Sequence, residues 1–237
     1  MSQSYFVVGT DTNVGKTYIA GALIQQFVKA GFKTIGMKPI ASGCELSQQG
    51  PWQNQLVNED VSALAKASNI DAPLELINPY RFVPAIAPHL AAEQAGIHIE
   101  SLAITKAYAL LAANADVVVV EGAGGFLVPI NATESLADLV FMLNLPIILV
   151  VGMRLGCINH ALLTVEAIHA RGLQLAGWVA NQVDADMPMF AENLASLQQR
   201  ISAPCLSVVR WQEAARFDFS NLSLPISIIE RAPRLQR

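Results

Sequence analysis

Gly15-Lys16-Thr17 ends the polar stretch "GTDTN" and Val14, and an apolar-periodic segment follows at once. Three residue types stand together here that suit a phosphate. A tight loop offers backbone N–H groups, and a helix N-terminus adds its positive end, so an anion is attracted without any net charge on the protein. Lys16 can reach the β- and γ-phosphates of a nucleotide, and the Thr17 hydroxyl can ligate Mg2+. The spacing departs from Gly-x4-Gly-Lys-Thr, because Thr10 occupies the first glycine's place and Gly9 comes one residue early.

Two carboxylates and a second lysine extend this chemistry. Mg2+ takes few protein ligands, one or two carboxylates, and completes its shell with phosphate oxygens and water. Glu121 directly follows "DVVVV", which predicts an acid at the mouth of a buried strand, beside the glycines of "GAGG". Asp60 lies in "NEDVSAL" at a predicted helix start, where capping the helix is the competing role. Gly122, Gly124 and Gly125 do not form a dinucleotide fingerprint, and they read as a loop that lets backbone approach a ligand closely. Lys38, at the end of a second predicted strand in "GMKPIASG", could neutralise charge developing on a transferring phosphoryl group.

These residues need strands and helices to bring them together. Apolar stretches predict strands at Tyr5–Val8, Thr34–Met37, Asp116–Val120, Pro146–Val151, Leu175–Val179, Cys205–Val209 and Ile226–Ile229. The runs 117–120 and 147–151 are apolar on both faces, as in a buried parallel sheet. Helical patterns alternate with them, at Lys16–Lys29, Glu59–Ser68, Ile99–Asn114, Asn159–Arg171 and Met189–Arg200. Such alternation predicts an α/β fold: a single domain over residues 1–237 with a doubly wound, mostly parallel sheet and helices on both faces. Ligands then sit at the carboxyl ends of the strands, where the candidate residues cluster.

Composition narrows the function. Hydrophobic residues make up 53% of the 237 and charged residues 14%, which excludes a disordered chain. A net charge of −4 leaves no basic footprint for nucleic acid. The longest apolar run, Val140 to Met153, is interrupted by Asn144 and Pro146 and is too short to span a bilayer. Cys44, Cys157 and Cys205 are odd in number and widely spaced, suggesting neither a disulfide framework nor a zinc site, and a cytoplasmic protein is expected. His89 reads as a structural loop residue and His160 as a packed helix residue, and "PYRF" around Arg81 as a loop shaper.

Taken together, "GTDTNVGKT", "KPIASG", "NPYRFVPAIAPHLAAEQAG", "VEGAGGFLVPI", "VVGMRLGCINHALLT" and "GWVANQV" resemble, in order, the blocks of the dethiobiotin synthetase family, which has a P-loop NTPase-like fold. The resemblance implies an ATP-dependent ligase of biotin synthesis that carboxylates 7,8-diaminononanoate with CO2 and closes the ureido ring through a carbamate and a carbamic-phosphoric anhydride. It implies Mg2+ held by Thr17, Asp60 and Glu121, with Lys16 and Lys38 as the catalytic lysines. Around the nucleotide it places Asn13, Val14, Gly15, Lys16, Thr17 and Tyr18, then Asp60, Glu121, Gly122, Ala123 and Gly124, and finally Asn181 and Gln182, with Asn181 reading the adenine edge. Ser42 would contact the diamine, and Gly156, Cys157, Ile158 and Asn159 would hold its carboxylate across the interface of a homodimer. Asn13 stands where many members carry glutamate, and Ser207-Val208-Val209-Arg210 replaces a common Gly-Glu-Ile-Pro.

Two other readings share the fold. A partitioning or septum-positioning switch ATPase would carry an additional lysine early in the loop, where Asp11-Thr12-Asn13 stands instead. An amide-forming synthetase of the cobyrinic acid type would normally add a glutaminase domain, for which the chain is too short.

Overall fold

The computed structural model describes residues 3–211. In chain order the elements are β1 (Gln3–Gly9), α1 (Lys16–Lys29), β2 (Thr34–Met37), β3 (Ile40–Ser42), β4 (Glu45–Leu46), β5 (Leu56–Val57), α2 (Glu59–Ala67), α3 (Leu74–Ile77) and β6 (Tyr80–Phe82). They continue with α4 (Pro88–Gln94), α5 (Ser101–Ala112), β7 (Val117–Gly125), α6 (Leu136–Leu143), β8 (Ile147–Met153), α7 (Cys157–His169), β9 (Leu175–Gln182), α8 (Phe190–Arg200) and β10 (Cys205–Val209).

Six strands form one parallel sheet in the order β10-β9-β8-β1-β7-β2. Residue alternation sends successive side chains to opposite faces, so each central strand feeds two cores. Tyr5, Val7, Val117, Val119, Ile148 and Val150 pack with Ile19, Leu23 and Phe27 of α1 and Leu64 of α2. Phe6, Val8, Val118, Val120, Leu149 and Val151 pack on the other face with α5, α6 and α7 residues such as Ile104, Leu139 and Ala161. This is the doubly wound architecture expected. β1 is flanked by β7 and β8, so the loop after β1 opens where the winding diverges, and a crevice forms there.

The six expected strands within the described residues are present, and the seventh, Ile226–Ile229, lies outside them. β7 runs further than expected, through Glu121 to Gly125, so Glu121 lies within a strand rather than at its end. Its pairing with β2 nonetheless stops at Met37↔Val120, one residue short of Glu121. Gly122 is a packing glycine: a Cβ there would meet Leu136 Cδ2 at 2.8 Å and Phe6 Cε1 at 3.1 Å. Tyr80–Phe82 is a strand paired with β3 rather than a loop, and His89 belongs to α4. His160 is exposed on α7 rather than packed.

Helix α6 had no counterpart in the sequence reading. The apolar run from Val140 to Met153 holds the end of this helix and all of β8, and the break comes at Asn144 in the left-handed conformation (φ 49°, ψ 45°). Its start is set by a capping box, in which Ser135 and Asp138 satisfy each other's backbone N–H groups. Those hydrogen bonds from Ser135 lower the Asp138 carboxyl below its ordinary range.

Candidate active site

The phosphate-loop candidate is stitched down before helix α1 begins. Thr10 N donates to Val150 O at 3.0 Å, and Gly152 N donates to Thr10 Oγ1 at 3.3 Å, so the loop extends the register of β1 along β8. Val14 is buried against Gly9 and Gly152, where added Cβ atoms would come within 2.7 and 2.6 Å of its methyl carbons. Asn13 takes the left-handed conformation at φ 57°, which asparagine tolerates better than most residues. Gly15, at φ 90°, opens α1, and a Cβ there would lie 2.2 Å from the Asn181 amide nitrogen. That nitrogen donates to Val14 O at 2.8 Å, so Asn181 supports the loop from beneath.

Lys16 and Thr17 occupy the first turn of α1. Lys16 Nζ donates to Asp11 O at 2.8 Å, closing the loop on itself. Burial pulls its pKa down, against the attraction of Glu121 and with help from the Lys38 charge, to about 8. Thr17 Oγ1 donates to Glu121 Oε1 at 2.8 Å.

Lys38 stands in the gap between β2 and β3, which Pro39 interrupts. Its backbone is fixed on both sides: Lys38 N donates to Ile77 O at 2.9 Å, and the buried Asn78 amide donates to Lys38 O at 2.6 Å. The side chain, 7% exposed, bridges Asp60 Oδ2 at 2.6 Å and Glu121 Oε1 at 2.8 Å. Burial disfavours the ammonium, but Glu121 and Asp60 outweigh it, and the Lys38 pKa rises above the ordinary lysine value. The Asp60 carboxyl is lowered, Lys38 overcoming the effect of burial, whereas burial holds the Glu121 carboxyl up. Capping of α2 falls to Asn58, whose side chain accepts from Asp60 N at 2.9 Å, which leaves the Asp60 carboxylate free for Lys38.

A cleft of about 770 Å3 gathers Asn13, Gly15, Lys16, Thr17, Tyr18, Lys38, Ser42, Asp60, Glu121, Ala123 and Gly124. Thr12, Ile40, Glu59, Ala85–Pro88 and Val128 complete its walls and were not singled out in the sequence. The 85–88 wall lies in the proline-rich block, whose Ala-Ile-Ala-Pro composition carries no chemical signal. Val14, Gly122, Asn181 and Gln182 do not line the cleft; Gln182 instead bonds Asp184 O and Ala185 O and accepts from Trp211 N. Gly156, Cys157, Ile158 and Asn159 also lie outside it, at the start of α7, behind the 89%-exposed Leu155.

The donor set fits Mg2+. Glu121 Oε2 is buried without a hydrogen-bond partner, beside the Thr17 hydroxyl and in the same cleft as Asp60. One hydroxyl and two carboxylates are what this ion takes from a protein when phosphate oxygens supply other ligands. No group of three or more His, Cys, Asp or Glu with metal-binding placement occurs among the described residues, so the protein alone offers no closed metal cage. Ser42 Oγ is a second buried, unpartnered polar atom on the cleft wall.

A family model described as an AAA domain matches residues 3–216. The ATP-dependent dethiobiotin synthetase of Nitrosospira multiformis is 51% identical over 213 residues, covering 90% of each chain. The chain belongs to the dethiobiotin synthetase family. Among solved structures, a ParA family ATPase from Chlorobium tepidum is similar at TM-score 0.55 and 12% identity, covering 90% of this chain and 86% of the other. The septum site-determining protein MinD from Pyrococcus horikoshii is similar at TM-score 0.54 and 14% identity, covering 89% and 82%. At that identity the two structures establish the P-loop NTPase fold and nothing about activity. Membership of the synthetase family rests on half-identical sequence over nine-tenths of the chain, and dethiobiotin synthetases are ATP-dependent ligases of biotin biosynthesis.

Proposed function

We infer that this protein is an ATP-dependent dethiobiotin synthetase, and that Lys16, Thr17, Lys38, Asp60 and Glu121 are its working residues. The observation that carries this reading is Lys38: a buried second lysine, held by two carboxylates within the cleft that the phosphate loop opens. In the reaction proposed, one amine of 7,8-diaminononanoate adds to CO2 and loses a proton, giving a carbamate. A carbamate oxygen attacks the γ-phosphorus of ATP, and ADP leaves. The second amine attacks the carbonyl carbon of the mixed anhydride, phosphate departs, and the ureido ring closes.

No protein nucleophile is required, so positioning and charge stabilisation carry the catalysis. Backbone N–H groups of the loop and the first turn of α1 face the phosphates. Lys16 exchanges its bond to Asp11 O for one to a phosphate oxygen, and its buried ammonium gains a counter-charge. Lys38 is placed to steady the carbamate and the phosphoryl oxygens. Thr17, Asp60 and Glu121 would hold Mg2+, which neutralises phosphate charge. Ser42, with its unpartnered hydroxyl, would contact the diamine.

The turn of residues 156–159 offers backbone N–H groups at the start of a 13-residue helix, a setting suited to the substrate carboxylate. Those residues lie outside their own chain's cleft, which supports a homodimer whose copies complete each other's sites. No helix among the described residues is long and apolar enough to cross a membrane, and we assign the enzyme to the cytoplasm. The test is phosphate release from ATP with and without the diamine and bicarbonate, with mass detection of the product. Diamine-dependent release yielding dethiobiotin is expected. Release indifferent to the diamine would overturn the reading in favour of a switch ATPase.

A further inference from the structure

Asp11 is a junction. Its backbone carbonyl accepts from Lys16 Nζ at 2.8 Å, and its Oδ1 accepts from Thr12 N at 2.7 Å. Its Oδ2 accepts from Arg154 Nη2 at 2.6 Å. Arg154 is the first residue after β8, and its own carbonyl accepts from Cys157 N at 3.0 Å, in the first turn of α7. One side chain therefore grips the phosphate loop while the same residue's backbone holds the entry to α7. The tie continues a series along β8, in which positions 150 and 152 bond Thr10 and position 154 bonds Asp11.

We propose that Arg154 is a positioning residue that couples the nucleotide cradle to the turn of residues 156–159, so that nucleotide in the cradle strengthens binding at that turn. The inference rests on the reading above, in which this turn receives the diamine's carboxylate. Lys16 makes the coupling possible. Phosphate draws Lys16 Nζ away from Asp11 O, which frees the Asp11 peptide to settle. That movement reaches α7 through a short charge-assisted contact rather than through a flexible loop. The Arg154 and Asp11 side chains are 42% and 44% exposed, so the pair is too open to hold the fold together. A second lysine would not serve equally, since an ammonium lacks the planar fork that fixes direction.

Binding of 7,8-diaminononanoate is measured by calorimetry with and without saturating AMP-PNP and Mg2+. In the unaltered enzyme the analogue is expected to tighten diamine binding about tenfold, within the roughly 5–150-fold range of allosteric couplings. Arg154→Met brings that factor to about two or less, with thermal stability little changed. Asp11→Asn does the same, the double variant adds nothing, and Arg154→Lys recovers part of the factor. A role confined to folding would move melting temperature and leave the factor intact. Coupling that survives both Arg154→Met and Asp11→Asn overturns the proposal. An enzyme that makes dethiobiotin but binds the diamine equally well with and without analogue overturns the coupling alone, whereas one that neither binds the diamine nor makes dethiobiotin overturns the functional reading with it.

Discussion

Replacing Lys38 by methionine removes the charge but keeps most of the volume, and it isolates what that charge does. Lys38 lies 2.6 Å from Asp60 and 2.8 Å from Glu121, and the Glu121 side chain is only 1% exposed. Breaking a buried ion pair from one side costs about 3–5 kcal/mol when the remaining charge stays ionised. The carboxylates have a way out, because one of them can take a proton. At pH 7 that costs about 1.4 kcal/mol for each of the roughly 2.7 units separating pH 7 from a glutamate's ordinary ~4.3, or about 3.7 kcal/mol. The two limits agree, so Lys38→Met should lose about 3–4 kcal/mol of stability at pH 7 without metal. The sign with pH follows. The folded variant holds a proton that the unfolded chain has released, so its stability falls as pH rises above the ordinary carboxyl range and recovers on acidification. By pH 5 the deficit should shrink to about 1 kcal/mol. Urea unfolding at pH 5 and 7 reads this directly, and Lys38→Met/Glu121→Gln should restore most of the loss at pH 7. Turnover should fall about 10²–10³-fold, as when one donor to developing charge is removed, while ATP binding persists through Lys16 and the loop. A single variant as stable as the double one at pH 7, or one that forms dethiobiotin at the normal rate, would refute this account of Lys38.

Glu121→Gln should raise the Mg2+ concentration that half-saturates activity by tenfold or more, since about 1.4 kcal/mol is lost for each factor of ten; an unchanged Mg2+ requirement would remove Glu121 from the metal site. Gly15→Ala forces a Cβ to within 2.2 Å of the Asn181 amide at φ 90°, so calorimetric ATP affinity should drop at least tenfold, and normal affinity would show that the loop shifts freely. Lys16, at about 8, must be charged to hold phosphate, so ATP should bind progressively more weakly as pH rises from 8 to 9.5, and a flat affinity profile would contradict the role given to its charge.

Much of the scaffold was legible because its signals are local. Val117–Val120 and Ile147–Val151 are short, rich in β-branched residues and apolar on both faces, as a strand covered on both sides is. Helix α1 was expected over Lys16–Lys29 and spans those residues, with Gly15 at its start in the left-handed conformation. The short strands β3 and β6 were not legible, because three residues give no periodicity and their pairing spans 40 positions. Helix α6 was hidden for the opposite reason, an apolar sequence too uniform to show where helix yields to strand. In the site, residue types announced the phosphate loop, whereas the contacts of Lys38 with Asp60 and Glu121 span 22 and 83 positions and needed the sheet. The Asp60 carboxylate also depended on Asn58 taking over the cap, a division of labour that "NED" leaves open.

A fold shared with ParA and MinD explains why the cradle alone cannot select a function. A loop followed by a helix N-terminus offers an anion the same backbone N–H groups whatever chemistry follows. What this chain adds comes from outside the loop. Pro39 breaks the edge beyond β2, and Asn78 and Ile77 pin the backbone there, so a lysine that would otherwise continue the strand turns into the crevice. Its ammonium stays charged while buried because two acids face it; Thr17 Oγ1 donates to the Glu121 carboxylate, and the Asn58 side chain accepts from the Asp60 backbone N–H. In the reaction proposed, an enzyme that steadies both a carbamate and the phosphoryl group it accepts needs that cation in place before either arrives, because reorganising it during the reaction would raise the barrier it is meant to lower.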